Sequence, residues 1–195
     1  MAPPPEPFFI TGDPHADALL GRDPLALLIG MLLDQQVPME WAFGAPAKLA
    51  DRLGGQLDAA AIAAMDPDEL ERAFKGPPAL HRYPGSMAKR TQALCATLVE
   101  HHGGRAEAVW EQAETGNELL ARLRALPGFG AEKARIFMAV LAKRRGVTPP
   151  GWEQAAAPFS DAVRRSVADA DSPEALEEVR AFKKAMKAAG KGKAD

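Results

Sequence analysis

The sequence predicts an all-α fold, and three observations carry that prediction. Helix-start and helix-stop signals recur along the 195 residues: Asp-Pro or Ser-Pro where an apolar run begins, Gly pairs where one ends. The runs between them carry helical stripes, such as Leu176, Val179, Phe182 and Met186. Long β-branched runs and a convincing strand pair are both absent.

In chain order, the lead MAPPPEP cannot form a helix and reads as mobile. Asp23-Pro24 opens an apolar helix, LALLIGMLLDQQ. A second helix runs from Trp41 to Leu53 and stops at Gly54-Gly55. An Ala-rich helix spans Leu57 to Met65, and Asp66-Pro67 starts another through Phe74, stopped by Gly76-Pro77-Pro78. After a loop at Leu80 to Ser86, a long helix runs from Met87 to His102. Two more, Leu119 to Ala125 and Ala131 to Arg145, flank the turn LPGFG. GVTPPGW reads as an irregular loop, and Ser172-Pro173 caps a last amphipathic helix through Ala189. That helix is expected to pack back on the N-terminal region and present its lysines to DNA or water. Eight to ten helices are predicted in all.

Composition narrows the function. Hydrophobic residues at 47% and charged residues at 26% are ordinary globular values. The single cysteine, Cys95, excludes a disulfide framework, a four-cysteine zinc site and a four-cysteine iron–sulfur cluster. It sits among Ala and Leu and reads as a small buried apolar side chain. His101-His102 end a helix with no third ligand nearby, so no metal site is assigned. The start lacks a basic segment followed by an apolar one, and the apolar run Pro24 to Leu33 is half a membrane span. A soluble, cytoplasmic (nucleoid-associated) monomer without membrane contact is expected.

Charge is distributed unevenly. The net charge of −2 conceals −8 over residues 1–121, +6 over 122–145, −5 over 146–178 and +5 over the tail. A compact basic segment in an acidic chain suits a polyanion, although a solvated helix face has the same composition. The segment is built around Leu126-Pro127-Gly128-Phe129-Gly130. Pro127 stops one helix, and the two glycines permit a tight turn and close approach of a large partner. The next helix opens with unpaired N–H groups at the positive end of its dipole, a ready site for a phosphate oxygen. Leu126, Phe129 and Ile136 fit as apolar pins. An ordinary helix–turn–helix corner would look similar without the basic surround.

LPGFGAEKA resembles the helix-hairpin-helix of the HhH-GPD superfamily of base-excision DNA glycosylases, whose pattern is L-P-G-[aliphatic]-G-x-x-[TS]-A. DPLALLIGMLLDQQVPMEWAFGAPAKLADRLGG is similar to that superfamily's early helix and loop, and LHRYPGSMAKRTQALCATLVEHHGG to the loop and helix leading toward the hairpin. Together these matches span about residues 20–145. The resemblance implies two helical subdomains with a cleft between them: one formed by 1–27 with 119–195, the other by 28–118. It implies a nucleotide swung out of double-stranded DNA into that cleft.

Residue by residue, the resemblance implies phosphate contacts at Leu126, Gly128, Phe129 and Gly130, with Lys133 and Arg135 beside them. It places gap filling on Gln36, with Gln35 as substitute, although a helix-terminal amide capping its own backbone is the alternative. The second wedge loop reads His81-Arg82-Tyr83, where Arg82 and Tyr83 can stack on bases. Trp152 is a candidate wall of the base pocket, and Tyr83 another. Where relatives with strand-cleaving activity carry a Schiff-base lysine, this chain has Glu132, and Lys133 is turned about 100° away, so hydrolysis without a lyase step is expected. The usual catalytic aspartate is replaced by Glu153; Asp161 is the second candidate. No cofactor is required, no iron–sulfur cluster is expected, and an alkali ion on hairpin carbonyls is compatible. The competing readings are a non-catalytic DNA-gripping module of a repair complex and a helical interaction protein without DNA.

Overall fold

A computed structural model describes residues 8–195; the MAPPPEP lead lies outside them. Eleven α-helices and one 3₁₀ turn form the described residues, and no strand occurs among them. The helices are α1 (Pro14–Arg22), α2 (Pro24–Leu33), α3 (Met39–Arg52), α4 (Ala59–Ala64), α5 (Pro67–Lys75) and α6 (Pro84–His102). They continue as α7 (Ala108–Glu111), α8 (Gly116–Arg124), α9 (Ala131–Arg145), α10 (Trp152–Ala156) and α11 (Pro173–Ala188), with the 3₁₀ turn at Val167–Asp169 before α11.

The cap chemistry explains most starts. Carboxylates of Asp13, Asp23, Asp58 and Asp66 accept amide hydrogens at the first turns of α1, α2, α4 and α5, and the Thr115 and Ser172 hydroxyls do so for α8 and α11. Three short helices escape the sequence reading: α1, α7 and α10. At four and five residues α7 and α10 are too short for a periodic signal, whereas α1 has an Asp13-Pro14 start like that of α2 and went unread. GVTPPGW is therefore only partly irregular, since Trp152 opens α10. Gln35 and Gln36 fall outside α2, which stops at Leu33.

Helix α2 is the axis of the core. Nine of its ten residues are buried, so it is apolar all round and must be enclosed by neighbours. It packs against α1, α3 and α6, while α4 and α5 lie on α6. On the other side α7, α8, α9 and α10 pack together, and α9 carries the 3₁₀ turn, against which α11 rests. One hydrophobic core runs through both groups, from Phe8 and Leu28 to Phe137, Phe159 and Val179. Helix α11 enters it by Leu176 and Val179, with Ala175 buried beside them, while Phe182 and Met186 stay half-buried. Cys95 is fully buried, and burial pushes its thiol up to about 12, beyond nucleophilic use at neutral pH.

Candidate nucleic-acid interface

The turn between α8 and α9 is exposed on one side and anchored on the other. Leu126, Phe129 and Ile136 are buried as pins, and Phe129 meets Phe137 edge-on at 5.8 Å. Gly128, Gly130, Ala131 and Glu132 face solvent. Gly128 has φ +82°, and a Cβ built on it would lie 2.3 Å from Leu32 Cδ1, so both conformation and space require glycine there. Gly130 caps α9 without any side-chain hydrogen bond to the first-turn amides. Those amides are therefore open to an external acceptor. The Phe129 side chain is buried and its amide already donates to Leu126 O.

The turn sits against the C-terminal end of α2, whose last carbonyls need partners. Leu32 O receives Gln35 Nε2 at 2.9 Å and Lys133 Nζ at 2.9 Å. Leu33 O receives Gln35 N at 2.7 Å and lies 3.1 Å from His81 Nε2. Lys133 is thus a cation capping the negative end of a buried helix. It points inward, which corrects its expected place among the phosphate contacts. Burial lowers its pKa to about 8, against the opposing pull of Asp34. The 100° offset from Glu132 was legible; the destination of the side chain was not.

The loop after α2 exposes Gln36 and ties down Gln35. Besides its bond to Leu32 O, Gln35 accepts Arg90 NH1 at its Oε1, 3.1 Å away. Gln36 is exposed at φ +56°, a left-handed backbone that costs a non-glycine residue of order 1 kcal/mol. Of the two glutamines, Gln36 is the one free to reach outward. In the second loop Arg82 and Tyr83 are both exposed, the guanidinium 5.4 Å from the ring centroid. Trp41, also exposed, donates its indole N–H to Ala79 O on that loop.

The basic surround is largely spent inside the fold. Arg122 pairs with Glu118, Lys143 with Asp169 and Arg144 with Asp171. Arg135 NH1 donates to Ala157 O at 3.1 Å, with its guanidinium near the Phe159 ring, and Arg145 donates to Gly21 O. Arg124 is exposed. A sequence count registers charge but not the carbonyl or carboxylate that consumes it.

Cations gather instead beside Gln36. A cleft of about 460 Å³ has Asp34, Gln35 and Gln36 on one wall and Arg180, Lys183, Lys187 and Lys193 on the other. Arg180 pairs with Glu40, which fastens α11 to the start of α3. Burial holds the Lys183 ammonium below its ordinary range. Asp34, Arg90 and Lys183 had no sequence signal beyond ordinary surface charge. A larger cavity, about 660 Å³ between Arg22, Trp110 and Arg145, touches none of the expected site residues.

The expected acids Glu153 and Asp161 lie on the segment that follows α9. Gly116 N donates to Pro150 O at 2.8 Å, which ties the start of α10 to the end of α8 remote from the turn. The nine residues of α8 put roughly 13 Å between those ends. Glu153 is exposed there, its carbonyl accepting Ser160 Oγ, and Trp152 is half-buried against the core. Asp161 is engaged by Arg165 NH2 at 2.7 Å and by Val163 N. Among the described residues, no group of His, Cys, Asp or Glu could hold a metal ion, and no helix is long and apolar enough to cross a membrane.

Residues 29–188 match the HhH-GPD family, described as "HhH-GPD superfamily base excision DNA repair protein". Among solved structures, the chain is similar to a trapped covalent endonuclease III–DNA intermediate in an estranged-adenine complex, with 17% identity, TM-score 0.46, and 83% of this chain and 73% of the other covered. It is also similar to a non-covalent endonuclease III–DNA complex, with 20% identity, TM-score 0.47, and 84% and 72% covered. A comparison with the curated proteins found no match. The family match covers the second half of α2, both loops, the hairpin and α11, and by it this chain belongs to the HhH-GPD superfamily of base excision DNA repair proteins.

Proposed function

We propose that the protein is a monofunctional DNA glycosylase that hydrolyses the N-glycosidic bond of a damaged or mispaired base extruded from double-stranded DNA. The observation that carries the reading is the meeting of three parts at the end of α2: the open hairpin amides, the exposed Gln36, and the loop bearing Arg82 and Tyr83. The amides hold a phosphate, and Gln36 fills the space left in the stack. The lysine-lined cleft beside Gln36 adds salt-sensitive affinity. The backbone of Leu126, Gly128, Phe129 and Gly130 makes the grip. The carbonyls of Leu126 and Gly130 each accept one internal amide and keep a second lone pair, so they would hold an alkali ion, which would supply positive charge beside the phosphate. Two subdomains, 28–118 and the two terminal segments, and a monomeric state belong to the same proposal.

In the reaction the C1′–N bond breaks with its electron pair leaving on the base, and positive charge develops on the sugar. A carboxylate stabilises that charge and orients the water that adds at C1′. Glu153 is the acid that the family resemblance implies. Asp34 is a second candidate, favoured by its place on the wall of the cleft beside Gln36. Glu132 at the Schiff-base position, and a Lys133 amine bonded to Leu32 O, support hydrolysis alone.

The test is base release from duplexes each carrying one deaminated, alkylated or oxidised base. The unaltered protein is expected to free at least one such base and leave the strand intact until alkali. Glu153→Gln is expected to lower that rate at least 100-fold at unchanged duplex affinity. If Asp34→Asn has that effect instead, the acid is Asp34. Borohydride reduction with an abasic duplex is expected to trap no adduct, and an adduct lost in Lys133→Ala would refute monofunctionality. Duplex binding with no base released across the set would establish the non-catalytic module instead.

A further inference from the structure

We infer that His81 is a positioning residue that locks the two base-reading loops to each other, and that it does so only as a neutral ring; this rests on the gap-filling reading of Gln36, Arg82 and Tyr83. His81 is fully buried, although it precedes two exposed residues. Tyr83 N donates to His81 Nδ1 at 3.0 Å. A backbone amide can only donate, so Nδ1 must accept and the ring proton must sit on Nε2. Nε2 lies 3.1 Å from Leu33 O and 3.0 Å from Gln35 O, so that one N–H is shared between two carbonyls of the first loop.

A single ring therefore bonds the residue before Gln36 to the residue after Arg82. Gln36 holds an unfavourable left-handed backbone, and such a conformation persists only where its neighbours over-determine it. His81 supplies that constraint from one side and the Gln35 side chain from the other. Trp41 and Tyr83 flank the ring at 6.4 and 6.1 Å. None of these groups is part of the hairpin grip. The clamp affects how the gap is filled, not how tightly the backbone is held.

Protonation would place a hydrogen on Nδ1 facing the Tyr83 N–H, breaking that bond and setting donor against donor. The charged groups facing the ring oppose protonation too: Lys133 from α9 and Arg90 from α6 both lower the His81 pKa, after the larger effect of burial. Asp34 lies between the two bonded carbonyls in sequence. The clamp thus persists at neutral pH and opens on acidification.

The experiment measures duplex affinity with and without a tetrahydrofuran abasic analogue, between pH 5 and 8, and takes the ratio as gap preference. The unaltered protein is expected to hold its ratio at neutral pH and lose it in acid. His81→Phe keeps the ring volume without the bonds, and the ratio is expected to fall about tenfold while affinity for intact duplex stays within about twofold. His81→Gln can donate to the two carbonyls without titrating, and is expected to restore most of the ratio and make it independent of pH. His81→Asn can accept from Tyr83 N but does not reach those carbonyls, and is expected to behave like His81→Phe. An unchanged ratio in His81→Phe, a parallel loss of both affinities, or persistent acid sensitivity in His81→Gln each overturns the clamp alone. No gap preference in the unaltered protein overturns the gap-filling reading and the clamp with it.

Discussion

Gly128→Ala is expected to unfold at a markedly lower temperature than the parent protein and to bind duplex DNA about tenfold more weakly. Two costs add at this position. A side chain at φ +82° sits in the left-handed region, worth about 1–2 kcal/mol. The new Cβ lies 2.3 Å from Leu32 Cδ1, and Leu32 is fully buried, so relieving the clash repacks a closed core at a further 1–3 kcal/mol or so. Together about 2–5 kcal/mol is at stake, a lowering on the order of 5–15 °C for a chain of this size. Gly130→Ala is the control. Its backbone is ordinary and its Cβ meets nothing within 4 Å, so stability is expected to change by no more than about 0.5 kcal/mol. The methyl projects where a phosphate would approach, so binding is expected to weaken all the same. Thermal melts and salt-titrated binding of both variants check the pair. Full duplex affinity in Gly130→Ala would remove the hairpin from the proposed interface.

Lys133→Met is expected to raise thermal stability at pH 7, and the gain is expected to vanish as pH rises from 8 to 10.5. The sign follows from proton counting. Burial lowers the folded-state pKa from 10.5 to about 8, so between these values the unfolded chain binds more protons and stability rises with pH. Below pH 8 both states are protonated and the burial cost is carried in full. It amounts to roughly 3 kcal/mol at most, less where solvent screens the ammonium. Leu32 O keeps its bond from Gln35 Nε2 in the variant, so no acceptor is orphaned. A lysine on the outer face of the hairpin would behave otherwise: its loss would leave stability unchanged and reduce the salt dependence of DNA binding by about one ion. The inward placement predicts an unchanged salt slope. Melts of both proteins across pH, with binding at several salt concentrations, decide between the two, and a stability difference constant from pH 7 to 10.5 refutes the inward placement.

The two variants mark where sequence reasoning stopped. The hairpin was legible because its requirements are local: a Pro to end α8, glycine at the left-handed position, apolar residues whose spacing folds them under the turn. The helix-starting carboxylates of Asp23 and Asp66 were legible for the same reason, each binding amides two or three residues away. The charge argument reached further than it should have. Six of the seven basic residues at 122–145 donate to acids or carbonyls of the protein's own fold.

By itself the sequence determined the all-α class, the glycine turn and the open amides of α9, since backbone conformation and capping depend on neighbours a few residues apart. Tertiary structure alone decided that α2 ends against the hairpin, and that Lys133 and His81 join the local Gln35 on its last carbonyls from 101 and 48 residues away. It also decided that Gln36 rather than Gln35 is free, and that α11 brings its lysines beside it. The physical reason is that a buried polar group must find a partner wherever the fold supplies one, and sequence spacing carries no record of distances closed by packing.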